Sequence, residues 1–266
     1  MGLLLALDVG NTNTVLGFFD GADLVATARV STVRDRTADE HVLLLRQLVQ
    51  ARGRSLEEVV DVVAASVVPS QDFPLRAACR DAFGVDPLVV APGIRTGMRI
   101  LYDNPAEVGA DRIVNAVAAV ELYGTPCIVV DFGTATTFDV ISASGDYLGG
   151  VICPGPGVSA DALFTRAARL SRVDFLRPER VIGKTTAQSV QSGLYWGVLA
   201  QTEGLIQRIR AEMAVPDVKV VATGGLAPLF ASSPELQAVD ADLTLKGLKI
   251  LHDRNAADRP AAARRA

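Results

Sequence analysis

The feature that most constrains this chain is an internal repeat. Shifting the second half back by 123 residues lays Asp131-Phe132-Gly133 on Asp8-Val9-Gly10. Phe138 then falls on Val15, Ile141 on Phe18, Asp146 on Asp23 and Tyr147 on Leu24. Each copy reads as an apolar strand, an Asp-x-Gly unit, a small polar turn, a strand, a short turn and a further strand. Hairpins often look alike, but a match in both order and register favours duplication. The chain has 266 residues, and at roughly 150 residues per domain that is nearly two domains. We therefore expect two similar α/β halves, 1–115 and 116–255, and a flexible tail over 256–266. Two such halves imply a cleft between them, where ligands favour binding.

The segments between the repeated hairpins carry helical and strand periods. Val42, Leu45, Leu48 and Val49 have helical spacing, so 37–52 is expected to be a helix. Ser55 followed by Glu57 and Glu58 looks like a helix start that gives way to a strand near Asp61. Helices are also expected over 73–83, 109–123, 158–170 and 187–213, and strands over 87–90 and 218–222.

Composition narrows the chemistry. Charged residues make up 21% and the net charge is −4, which argues against a nucleic-acid binder, since such domains are usually basic. Only His41 and His252 are present, so no multi-histidine metal site can form within one chain. Cys79, Cys127 and Cys153 share no metal-like spacing and sit in apolar stretches, which reads as buried free thiols. No apolar run approaches the ~18 residues of a membrane span. The N-terminal run lacks a basic region and is cut short by Asp8, so it does not read as a signal peptide. Together these point to a cytoplasmic protein that handles small molecules.

The two Asp-x-Gly turns carry the phosphate chemistry. In Asp8-Val9-Gly10-Asn11-Thr12-Asn13-Thr14, the glycine permits a sharp turn and close backbone approach. Successive N–H groups make an anion cradle. Asn and Thr add neutral donors, and Asp8 could hold a hydrated Mg²⁺. Asp131-Phe132-Gly133-Thr134-Ala135-Thr136-Thr137 repeats the design with hydroxyls in place of amides. The plainer alternative is two ordinary hairpin turns. Other phosphate motifs fail. Gly183-Lys184-Thr185 ends like a P-loop, but Pro178 stands where its first glycine belongs. Gly155-Pro156-Gly157 comes late in the chain, and Pro154 and Pro156 remove donors, so it is expected to shape a loop beside the cleft. Asp111-Arg112, after Gly109-Ala110, is either a helix-start charge pattern or a carboxylate base beside an anion-binding cation.

Asp8 to Thr14, Gly109 to Arg112, Asp131 to Thr136 and Thr223-Gly224-Gly225 together resemble type III pantothenate kinases, in order and spacing, across nearly the whole chain. The wider resemblance is to the acetate and sugar kinase, Hsp70 and actin superfamily. It implies an α/β fold of two duplicated ribonuclease-H-like (actin-like ATPase) domains with a nucleotide cleft between them. It also implies ATP-dependent phosphorylation of pantothenate, the first step of coenzyme A synthesis.

The resemblance assigns residues as well. Asp8, Val9, Gly10, Asn11, Thr12, Asn13, Thr14 and Val15 would form the first ATP loop, with Thr134, Gly224 and Gly225 also at the nucleotide. Asp111 would accept the proton. Tyr102, Gly109, Ala110, Asp111, Arg112 and Thr186 would bind pantothenate. Asp131 would help hold a monovalent cation, potassium or ammonium, and a homodimer is implied. Tyr102 has a plainer reading as a half-buried loop aromatic, and Thr186 as the cap of the helix that follows. Two other functions fit this fold: a nucleotide-binding regulator without turnover, resembling Bvg accessory factors, and a kinase for another small alcohol such as a sugar.

Overall fold

A computed structural model describes residues 2–167, 170 and 172–257. Two five-stranded sheets organise the chain. In the first, β1 (Leu3–Val9) pairs antiparallel with β2 (Asn13–Asp20), which pairs antiparallel with β3 (Asp23–Ser31). On its other side β1 runs parallel to β4 (Val59–Ser66), and β4 parallel to the short β5 (Leu88–Val89). The order is β3-β2-β1-β4-β5. The second sheet repeats it as β8-β7-β6-β9-β10, from β6 (Cys127–Phe132), β7 (Ala135–Ile141), β8 (Tyr147–Pro154), β9 (Lys219–Thr223) and β10 (Ala238–Val239). Strand senses match pair by pair.

The central strands explain their own placement. Leu3, Leu4, Leu5, Ala6 and Leu7 are all buried, as are Cys127, Ile128, Val129 and Val130. A run apolar on both faces belongs between parallel and antiparallel neighbours, not at an edge. One side of the first sheet packs against α1 (Ala38–Gln50) and α2 (Pro69–Phe83) through Val42, Leu45, Val49, Leu75, Ala78 and Cys79. Thr37 and Glu40 form a reciprocal capping box at the start of α1. In the second sheet Phe132, Phe138, Tyr195, Ile206 and Phe230 build the core with α5 (Thr186–Met213). The remaining helices are α3 (Ala110–Tyr123), α4 (Pro156–Arg166) and α6 (Leu243–Ala256).

The chain forms two compact units. One comprises the chain up to Gly97, Asp103–Ala118 and the chain from Thr244; the other comprises Met98–Tyr102 and Ala119–Leu243. The boundary expected at 115 thus falls inside α3, and α6 packs with the first unit. There the Thr244 hydroxyl donates to Asn115 at 2.7 Å, and Gly247 sits against the Val114 carbonyl. Of the tail expected to be flexible, residues 258–266 lie outside the described residues, as do 168 and 169 of the helix expected over 158–170. Among the described residues no helix is long and apolar enough to cross a membrane.

Three expectations are corrected. The stretch after Ser55 is one 3-10 turn, Leu56–Glu58, and the strand begins at Val59 rather than near Asp61. Cys153 is half-buried, whereas Cys79 and Cys127 are buried and pushed up to about 12 by desolvation. The repeat register also slips. Thr14 pairs back onto Val9, and Thr136 onto Phe132. Position 136 therefore matches 14, an offset of 122, and Phe138 falls on Leu16 rather than Val15. The second turn is one residue shorter. The next hairpin turn is one residue longer, so Leu24 and Tyr147, paired to Phe19 and Ile141, are again 123 apart.

Candidate active site

Asp8, next to last in β1, lies between Val15 of β2 and Ala65 of β4, so its position is held from both sides. After Val9 the chain turns at Gly10, whose N–H donates to the Asn13 carbonyl at 3.0 Å. Asn11 and Thr12 are exposed at the tip, Asn13 and Val15 are half-buried, and Thr14 is buried. The turn is stitched to the end of β3 by Thr32. Its N–H donates to the Thr12 carbonyl at 2.9 Å, and its hydroxyl donates to the Gly10 carbonyl at 2.7 Å. A hydroxyl has one proton to give. The 2.9 Å contact between the Thr14 and Thr32 hydroxyls is therefore donated by Thr14.

The second turn has the matching backbone closure. Gly133 N–H donates to the Ala135 carbonyl at 3.0 Å, and Gly155 N–H to the Thr134 carbonyl at 3.1 Å. Gly155 occupies the place that Thr32 holds in the first turn. A methyl group there would run into the Thr134 carbonyl and lie 2.5 Å from the Gly133 carbonyl. Gly224, after β9, has φ +92° and presses on the same turn. A side chain there would meet the Asp131 carboxylate and lie 2.7 Å from the Phe132 backbone. Asp131, Thr134 and Gly224 are thus brought together in the second unit, with Gly225 exposed beside them. The donors on offer, one carboxylate and turn carbonyls, are all oxygen, which suits a hard cation rather than a soft metal. Among the described residues no group of three His, Cys, Asp or Glu side chains could hold a metal ion.

Asp111 lies in the first turn of α3 in the first unit, after Gly109 and Ala110. Its Oδ1 accepts from the Arg112 N–H at 2.8 Å, and a side chain on Gly109 would come within 2.6 Å of that oxygen. Gly109 is what lets the carboxylate fold back over the helix start. Burial pushes the Asp111 carboxyl above its ordinary value, against a smaller pull downward from the Arg112 backbone and charge. The Arg112 side chain is buried beside it. A carboxylate whose charged form is disfavoured by desolvation accepts a proton more readily than an exposed one.

Tyr102 belongs to the second unit. Residues 99–101 run along β8: Tyr147 N–H donates to the Arg99 carbonyl at 2.9 Å, and Leu101 N–H to the Tyr147 carbonyl at 2.8 Å. Arg99 grips Asp146 through two bonds of 2.7 and 2.6 Å. This sets the Tyr102 ring over Gly149 and 6.4 Å from the ring of buried Tyr147, whose hydroxyl donates to Asp139 at 2.7 Å. Tyr102 is half-buried, as its plainer reading had it. For Thr186 the plainer reading is corrected. The cap of α5 is Thr185, which accepts from Gln188 N–H at 3.2 Å, and Thr186 is the exposed first helical residue. Thr32, Tyr147 and Asp139 carried no motif, and only strand pairing places them next to residues that did.

The model of the type III pantothenate kinase family matches residues 4–208. The chain is 53% identical over 264 residues to the type III pantothenate kinase of Koribacter versatilis (strain Ellin345), covering 95% of this chain and 96% of that one. It is 56% identical over 254 residues to the type III pantothenate kinase of Anaeromyxobacter sp. (strain K), covering 95% and 100%. Among solved structures, a conserved Baf-family protein from Campylobacter jejuni superposes with a TM-score of 0.60 at 19% identity, covering 95% and 99%. An activator of 2-hydroxyisocaproyl-CoA dehydratase from Clostridium difficile, with bound ADPNP, superposes at 0.57 and 13% identity, covering 96% and 97%. At such identities the structural likenesses establish the actin-like ATPase fold and nothing more.

Proposed function

The chain belongs to the type III pantothenate kinase family, and from that premise we propose how its own residues carry the reaction. It is a phosphotransferase that phosphorylates pantothenate to 4'-phosphopantothenate with ATP, the first step of coenzyme A biosynthesis. Identity above 50% along nearly the whole chain to kinases so named disfavours both a regulator without turnover and a sugar kinase.

Asp111 is the base. The single observation that supports this is a carboxylate at a helix start, buried enough to raise its proton affinity, with a glycine cleared to make room for it. The pantothenate hydroxyl attacks the terminal phosphorus of ATP, the bond from that phosphorus to the bridging oxygen breaks, and ADP leaves. Asp111 takes the hydroxyl proton. Positioning and electrostatics supply most of the rate in such transfers.

Residues 8–15, Thr134, Gly224 and Gly225 hold the ATP, using N–H groups and hydroxyls where the acidic chain lacks spare positive charge. Asp8 would hold Mg²⁺, whose charge would offset that of the phosphates. Tyr102, Gly109, Ala110, Arg112 and Thr186 bind pantothenate, with Arg112 facing its carboxylate. Asp131 takes part in a monovalent cation site for potassium or ammonium. The enzyme works as a homodimer in the cytoplasm.

The test is Asp111→Asn. Turnover should fall by about 10²–10⁴-fold, the usual weight of a general base. A carboxyl raised in the folded state stabilises the fold below its unfolded value and loses that contribution as pH rises through the folded one. The neutral amide should therefore be no less stable than wild type at neutral pH. A folded Asp111→Asn enzyme with normal turnover removes Asp111 from the base role. An ADP-release assay with and without pantothenate tests the function itself: release that ignores pantothenate would sink it.

A further inference from the structure

One cation stands beside the first turn without a role in the reaction as read so far. Between β3 and the capping residue Thr37 runs a strap, residues 32–36. Thr32 binds it to the turn on one side. On the other, the Ser70 hydroxyl and the Gln71 amide at the start of α2 donate to the Arg34 carbonyl at 3.0 and 2.6 Å. The same amide reaches the Arg36 carbonyl at 3.4 Å. Gln71 is 2% exposed, and its side-chain oxygen is hydrogen-bonded to Nε2 of buried His41. Burial lowers the proton affinity of His41, and because an amide oxygen only accepts, the His41 Nε2–H is the donor to it. The backbone at residue 34 is therefore fixed from both sides.

From that fixed point the Arg34 side chain reaches the turn, and its Nη2 donates to Oδ1 of Asn11 at 3.3 Å. Arg34 is exposed and, among the described residues, makes no ion pair. Other arginines here are spent on carboxylates: Arg76 and Arg80 on Asp86, and Arg99 on Asp146. A guanidinium has five N–H donors in a planar fork, and one weak bond to an amide leaves the rest available. The turn beside it offers neutral donors and the negative Asp8, in a chain of net charge −4. Polyphosphate bound there would meet the positive charge of Arg34.

We propose that Arg34 is an ATP-binding residue whose guanidinium takes the phosphate oxygens of the nucleotide held by the first turn. The proposal rests on the reading of that turn as a phosphate loop, so its test must separate the two. Binding of MgATP and of AMP to the full chain is measured by titration calorimetry for wild type, Arg34→Ala, Arg34→Lys and Gly10→Ala. A methyl at Gly10 would lie 3.0 Å from the Asn13 carbonyl and disturb the turn without touching Arg34.

Arg34→Ala should weaken MgATP about tenfold, the loss of one charge-assisted contact. It should leave AMP, the pantothenate KM and the melting temperature near wild type, and lysine should recover part of the loss. MgATP affinity within about twofold of wild type in Arg34→Ala overturns the assignment, as does an equal loss for AMP. If Gly10→Ala weakens MgATP while Arg34→Ala does not, only Arg34 is misassigned. If neither does, the phosphate-loop reading itself falls.

Discussion

The turns after Asp8 and Asp131 share one pattern and the same pair of backbone hydrogen bonds, and they differ in what is added to that pair. In the first, a side chain does the work: the Thr32 hydroxyl ties the Gly10 carbonyl to the Thr14 hydroxyl. In the second, the equivalent place is a glycine packed against two carbonyls, and Gly224 crowds the same turn from β9. The first turn is a residue longer, with room for a stitch. The second is a residue shorter, and a side chain at position 155 would run into its carbonyls. A duplicated framework thus keeps strand order while its loops diverge, because the sheet constrains pairing and leaves the turn free. Each half of the comparison can be broken separately.

The largest effect belongs to Gly155→Ala. Gly155 has φ −68°, a conformation any residue adopts, so lost space rather than backbone strain is the whole penalty. The obstructing atoms are carbonyls that no side-chain rotation can relieve. Moving the second turn by about an ångström should cost roughly 100-fold in kcat/KM. Gly224→Ala adds a positive φ to the same crowding and should do no better. Steady-state kinetics on folded variants check this, and a near-normal Gly155→Ala would mean the turn is not held where ATP needs it.

Next come the two aspartates, alike in sequence and given different cations here. Exchanging potassium for sodium should lower wild-type activity by about tenfold or more, if the bound cation neutralises developing phosphate charge. Asp131→Asn should erase the difference between the two salts. Asp8→Asn should keep that difference and instead raise the Mg²⁺ concentration needed for half-maximal rate. Identical salt responses in both variants would collapse the distinction.

Much of this contrast was legible from residues alone, and the losses have physical causes. The Asp-x-Gly units and the flanking apolar runs read directly, because central strands need both faces apolar. The register of β7 did not. A deletion in one turn and an insertion in the next cancel, so positions 23 and 146 realign and hide the slip between them. Helix α6 escaped because Gly247 interrupts an otherwise helical pattern, and its reason for being glycine, contact with the Val114 carbonyl, lies far off in sequence. Thr32 and Arg34 stand about twenty residues from the turn they serve. Only the pairing of β2 with β3 brings them back to it. Asp111 could be proposed from its neighbours, but its burial, which raises its proton affinity, is tertiary.

A smaller effect is expected at the stitch itself. Thr32→Val keeps the shape and the N–H bond to Thr12 but removes two side-chain hydrogen bonds. Each net bond is worth about 1 kcal/mol. The variant should melt lower and show a several-fold higher KM for ATP, with KM for pantothenate unchanged. A shift in the pantothenate KM instead would mean the stitch serves the other substrate.

The smallest effect gives the sharpest contrast. Thr14 and Thr136 are structural equivalents, both buried, at 7% and 1% exposure. The Thr14 hydroxyl has Thr32 as partner, whereas the Thr136 hydroxyl has no hydrogen-bond partner among the described residues, because Gly155 brings no side chain. Valine is close in shape to threonine, so each substitution isolates one hydroxyl. Thr14→Val gives up a made bond and should cost about 1 kcal/mol. Thr136→Val removes a buried polar group that is not satisfied, and should be neutral or stabilising by up to about 1–2 kcal/mol. Urea unfolding of both variants, with and without MgATP, reads the difference. If Thr136→Val is instead destabilised only when MgATP is present, the second turn completes its hydrogen bonding through the ligand. The two turns would then differ not only in how they are built but in when they are finished.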